Sequence, residues 1–171
     1  SFDDRIYKSR IYYGFGKADP TVELRYGPNI KDWPKMYPMQ DNMLLELAAV
    51  IHDPVTTTDE LIPSGETSSY RSNPLKLSEF ALSRRVPEYV GISKRIQAED
   101  LERRAGKAPQ HVLDALAKVG AKPEDTSFGS CVFANKPGDG SAREQAASCQ
   151  RVLGAGANIV TEYATKRYRS N

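Results

Sequence analysis

Ser141 and Arg143 stand at the end of a glycine-bearing turn, Gly138-Asp139-Gly140, and Glu144 follows three residues after the serine. A helix beginning here would offer unpaired N–H groups and a partial positive charge, which together make an anion site. A serine hydroxyl can also take a proton, provided that neighbouring dipoles or cations stabilise its alkoxide. Arg143 is able to grip a carboxylate or phosphate through two parallel bonds. Gly138 and Gly140 would let the backbone come close to a ligand. The same Ser-x-x-Glu spacing is a capping box, so Ser141 and Glu144 serve equally as a helix cap with Arg143 in water. No Lys-Ser/Thr pair follows the glycines and the G-x-G-x-x-G spacing fails, which excludes the common nucleotide loops.

The elements that must position these groups follow from the surrounding pattern. Residues 131–134 form a short apolar run, and residues 135–140 form a turn in which neither strand nor helix continues. A helix from Ser141 passes through Ala146, Ala147 and Val152 and stops near Gly154 or Gly156. Residues 158–161 are a second apolar run. Strand, glycine loop, helix and strand in that order predict a βαβ unit with a parallel pair.

Upstream, residues 43–51 (MLLELAAVI) read as a strand that His52-Asp53-Pro54 ends. Residues 56–65 and 68–74 read as polar loops, the second closed by Pro74. Helices are predicted over residues 75–85, 90–104 and 108–119, with Gly120 ending the last. His52 and His111 are the two histidines, the first expected to be structural and the second to lie on the surface. Residues 1–40 are rich in proline and aromatics (Phe2, Tyr7, Tyr12, Tyr13, Phe15, Tyr26, Trp33, Tyr37) but not periodic. They are expected to form an extended linker or arm, anchored by its aromatics, ahead of a domain over residues 41–171.

Lys+Arg 24 nearly balances Asp+Glu 22, so no basic face for nucleic acid and no membrane surface is expected. No apolar run reaches membrane-spanning length and no signal peptide opens the chain, which predicts a cytoplasmic protein. Cys131 and Cys149 lack the spacing of a metal site or a disulfide framework and are expected to be buried free thiols. A chain that starts at Ser1 without methionine is expected to be cut from something longer.

Three stretches, in order, resemble the C-terminal swivel domain of aconitases and isopropylmalate isomerases. Thr57-Thr58-Asp59-Glu60-Leu61-Ile62-Pro63-Ser64-Gly65 is similar to the family's T-T/A-D-H-I-x-P-A-G. Arg71-Ser72-Asn73 occupies the place of its arginine-bearing loop. Gly138-Asp139-Gly140-Ser141-Ala142-Arg143-Glu144-Gln145-Ala146-Ala147 is similar to G-x-G-S-S-R-E-H-A-A. Gly27-Pro28-Asn29-Ile30, in the arm, resembles the sequence that enters this domain in single-chain aconitases. The likeness covers nearly the whole chain.

The resemblance implies an α/β fold, a swivelling β/β/α domain with a mixed or parallel sheet and flanking helices. It implies that Ser141 is the base that removes a proton from the substrate carbon. Arg71 and Arg143 would hold substrate carboxylates, and Asp59 would support the site with Gly138, Gly140 and Glu144. The activity implied is that of a hydro-lyase of tricarboxylic-acid chemistry, acting at a 4Fe–4S cluster held by other domains, with no metal on this chain. Partners implied are a di- or tricarboxylate substrate and the cluster-binding domains, on the same polypeptide or on a large subunit. This chain alone would then be inactive.

Departures at Glu60, Ala142 and Gln145 leave citrate, homocitrate and isopropylmalate open as substrates. Two rival readings are a stand-alone small subunit of an isopropylmalate isomerase-type dehydratase and a non-catalytic anion-binding or regulatory module.

Overall fold

The computed structural model describes residues 2–9 and 16–171. Tyr12, Tyr13 and Phe15, counted among the arm aromatics, lie outside the described residues. The elements in chain order are α1 (Arg5–Ser9), β1 (Asn42–Ile51), β2 (Thr56–Thr57), α2 (Thr58–Leu61) and α3 (Ser64–Thr67). Next come α4 (Pro74–Ser78), α5 (Tyr89–Arg104), α6 (Gln110–Ala117), β3 (Thr126–Ala134) and β4 (Pro137–Asp139). The chain closes with α7 (Arg143–Val152), β5 (Ala155–Val160) and α8 (Lys166–Ser170). Among these helices none is long and apolar enough to cross a membrane.

The fold is α/β. Its main sheet has the order β1-β3-β5 with every pairing parallel. Central strands of parallel sheets are covered on both faces and so read as continuous apolar or small-residue runs. TSFGSCVFA in β3 is buried at every position except Phe133, as that rule requires. The strand starts at Thr126, well before the apolar run that marked it in the sequence, because Thr126, Ser127 and Ser130 are buried too. Parallel strands need a crossover, and α7 supplies it between β3 and β5.

The core gathers Ala48, Ile51, Leu82, Tyr89, Ala134, Ala146, Cys149, Leu153 and Tyr168 between sheet and helices. A smaller cluster of Ile96, Val112, Leu116 and Phe128 ties α6 to α5 and β3.

Three local expectations are corrected. The turn over residues 135–140 contains a strand, β4, whose parallel pairing with β2 forms a second small sheet. The polar stretch after β1 is also ordered: it holds β2, α2 and the start of α3. Here the capping box does form. The Thr57 hydroxyl accepts from the Glu60 N–H at 3.2 Å, and the Glu60 carboxylate accepts from the Thr57 N–H at 2.7 Å. Thr57→Ala is therefore expected to cost about 0.5–2 kcal/mol of stability, read from a denaturant titration.

The helix predicted over residues 75–85 stops at Ser78. Leu82, fully buried, sits at φ 55, a backbone state that no helix accommodates. Its N–H donates to the Leu61 carbonyl at 2.9 Å. Phe80, Ala81 and Leu82 are apolar because a buried turn contains them, and their spacing only imitates a helical stripe.

Candidate functional site

At the start of α7 the cap residue is Ala142, and no side chain caps the helix. The expected Ser141–Glu144 capping box is absent. Ser141 lies one residue before the cap and two before the helix, and is exposed, so its hydroxyl is not consumed by the first turn. The first N–H groups of α7 likewise have no side-chain acceptor.

Ser141 stands between two clefts. The first, of about 310 Å³, sets Ser141, Ala142, Glu144 and Gln145 from α7 and its lead-in beside Arg71 and Trp33. Pro74 and Leu77 form its apolar wall. The second, of about 400 Å³, joins Ser141 and Gly140 to Thr57, Thr58, Asp59 and Ser64. Arg71 reaches the first cleft from the turn before α4. There Asn73 caps that helix by accepting from the Lys76 N–H at 3.1 Å, with Pro74 at its first position. The Arg71 side chain is exposed and makes no described hydrogen bond or ion pair.

Trp33 was visible in the sequence only as one arm aromatic. The structure lays residues 31–40 along the domain. The Lys31 N–H donates to the Ser72 carbonyl at 2.9 Å, and the Gln40 N–H donates to the Ser127 hydroxyl at 2.8 Å. The Arg104 guanidinium sits 4.6 Å from the Tyr37 ring centre and donates to the Pro38 carbonyl at 3.1 Å. These contacts carry Trp33 to the wall of the first cleft. No local pattern signalled this, because the contacts come from residues remote in sequence.

Asp59 is already engaged. Its Oδ1 accepts from the Ser64 N–H at 3.0 Å and the Ser64 hydroxyl at 2.9 Å, and its Oδ2 accepts from Arg84 at 2.8 Å. The Ser64 backbone N–H, then its hydroxyl and then Arg84 hold the carboxyl below its ordinary value. Asp59 thus fixes the turn between α2 and α3 as an anion.

Arg143 is the first residue of α7 and lines neither cleft beside Ser141. It is half-buried, and its Nε is shielded from solvent with no hydrogen-bond partner. The two glycines face protein. A Cβ on Gly138, at φ 97, would stand 2.4 Å from the Tyr168 ring; one on Gly140, at φ 137, would stand 2.1 Å from the Thr58 hydroxyl. Both positions require glycine for close packing as well as for their backbone angles.

Arg71, Ser141 and Glu144 are thus brought together, with Asp59 and Gly140 on the far side of Ser141. Arg143 and Gly138 lie just behind. Compared with family models, curated proteins and solved structures, the chain matches none.

Proposed function

We propose that this chain is the swivel-type domain of an aconitase-like hydro-lyase, supplying the base and the carboxylate grips for a hydroxy polycarboxylate. The observation that carries the reading is the shared cleft: Arg71 and Ser141, from two of the three ordered motifs, line one opening of substrate size. Arg71 and Ser141 come from separate turns, ahead of α4 and α7, so they can meet different parts of one substrate.

In this reading the Ser141 Oγ takes a proton from the substrate carbon next to a carboxylate. Serine is a poor base in water, so the alkoxide must be stabilised where it forms. The uncapped N–H groups of α7 and the neighbouring Arg143 provide that positive potential. Arg71 holds one carboxylate through its exposed guanidinium. Arg143, which lines neither cleft, would grip a second carboxylate only on turning toward Ser141, and its shielded Nε would then gain a partner. The positively charged grips orient the scissile C–H toward Ser141, which is the positioning term of catalysis.

The hydroxyl that departs needs a Lewis acid, and the family implies a 4Fe–4S cluster. The thiols of this chain do not fit one. Cys131 and Cys149 are both buried, and burial raises both thiols, Cys149 up to about 12, whereas a cluster takes thiolates. The cluster belongs in this proposal to other domains, and no step here is assigned to it.

The test is reassembly. The purified chain, assayed for citrate dehydration before and after iron–sulfur reconstitution, is expected to be inactive. Joined to cluster-bearing domains of an aconitase-like protein, it is expected to restore turnover. Turnover by the isolated chain with metal excluded, or none in any reassembled pairing, would overturn the reading.

A further inference from the structure

Away from the residues that line the Ser141 clefts, three elements bring different ligand types to one spot. Glu46 comes from β1, Glu99 from α5 and His111 from the first turn of α6. One donor atom from each lies within 4.8 Å of the other two. We infer that Glu46, Glu99 and His111 form a binding site for a divalent transition-metal ion, with Zn²⁺ the best match to one imidazole and two carboxylates.

The donors are arranged for this. Arg95 binds one oxygen of each carboxylate: Nη1 reaches Glu99 Oε1 at 3.1 Å, and Nη2 contacts Glu46 Oε1. That leaves the second oxygen of each free for a metal. Glu99 Oε2 faces His111 Nε2 at 3.5 Å, a separation at which no hydrogen bond forms. An imidazole nitrogen that makes no hydrogen bond can offer its lone pair to a metal. With Arg95 counted, two carboxylates and one guanidinium leave a net charge of −1 around the ion. Donors around a tetrahedral Zn²⁺ stand about 3.3 Å apart, from bond lengths of about 2.0–2.2 Å. Closing the remaining gap takes rotamer changes in Glu46 and His111, whose side chains are 47% and 60% exposed, while Glu99 at 14% stays as the anchor.

Such an ion would pin α6, which is otherwise held through Val112 and Leu116, to the edge strand and to α5. The mixed nitrogen and oxygen set favours Zn²⁺ over Mg²⁺, which prefers oxygen ligands alone.

The experiment adds ZnCl₂ to the 171-residue chain and reads calorimetric stoichiometry and melting temperature. One-to-one binding is expected, with the melting temperature raised by about 5–10 °C at a hundredfold excess over Kd. His111→Ala and Glu99→Gln are expected to abolish both effects, and His52→Ala, which alters the other histidine, to leave them intact. His111 is exposed, so its variant should melt like the parent without metal. MgCl₂ in place of ZnCl₂ is expected to do nothing. An unsaturable response in the parent chain, or unchanged Zn²⁺ binding in His111→Ala, would overturn the assignment.

Discussion

Replacing Ser141 with alanine is expected to lower kcat of the reassembled enzyme by about 10²–10⁴-fold, the usual contribution of a positioned general base. KM should change little, because the carboxylate grips at Arg71 and Arg143 are untouched. The melting curve should shift by less than about 0.5 kcal/mol, since Ser141 is exposed and makes no cap bond. This combination is discriminating. A capping serine predicts a stability loss of about 0.5–2 kcal/mol with the rate per folded molecule unchanged. Steady-state kinetics and melting of the same protein separate the two outcomes. An unaltered kcat would remove Ser141 from the mechanism and leave the cleft as an anion-binding surface.

Gly138→Ala is expected to cost about 2–5 kcal/mol of stability. Two costs combine. The backbone stands at φ 97, where an L-residue is strained, and the new methyl would meet three atoms of Tyr168 at 2.4–2.6 Å. Tyr168 cannot easily retreat. Its ring is buried, and its hydroxyl accepts from Gln150 at 3.0 Å and from Asn158 at 3.2 Å. A double-mutant cycle with Tyr168→Ala separates out the ring contacts. In that background the ring contacts go, while the contact with the residue-168 Cβ at 2.6 Å and the backbone strain remain, so Gly138→Ala should cost less than in the parent chain. An equal cost in both backgrounds would show that Tyr168 is not the obstacle.

The consequence for function is positional. Tyr168 packs beneath β4, which leads directly into Ser141, and the Thr165 hydroxyl donates to the Gly138 carbonyl at 3.1 Å. α8 therefore braces the loop that presents Ser141. Nothing in the sequence of residues 161–171 announced a helix there, because its five residues are too few to show periodicity.

What the chain's sequence determined by itself is the parallel scaffold around β3. The run into Ala134 is apolar because the central strand of a parallel sheet is buried on both faces, a local and legible demand, whereas β1, at the sheet edge, buries only Ala48, Ala49 and Ile51. The crossover helix ending at Gly154 was legible for a similar reason: φ 86 there admits glycine at little cost. The Ser-x-x-Glu signal was ambiguous, since the same pattern occurs at Thr57 and Ser141 and only the first closes a box. Which site caps depends on where the preceding strand delivers the backbone, and β2 delivers Thr57 directly into α2.

Tertiary structure alone decided the rest. The turn at Leu82 is held by the carbonyl of Leu61, and Trp33 reaches the cleft through arm contacts with α5 and the Ser72 loop. Arg71 and Ser141 meet because α4 packs against α7, with Leu77 and Cys149 sharing both core and cleft wall. Spacing along a chain encodes only which neighbours within a helix or strand share a face. Contacts between remote segments are set by which apolar surfaces fit together, and that fit exists only once the chain has folded.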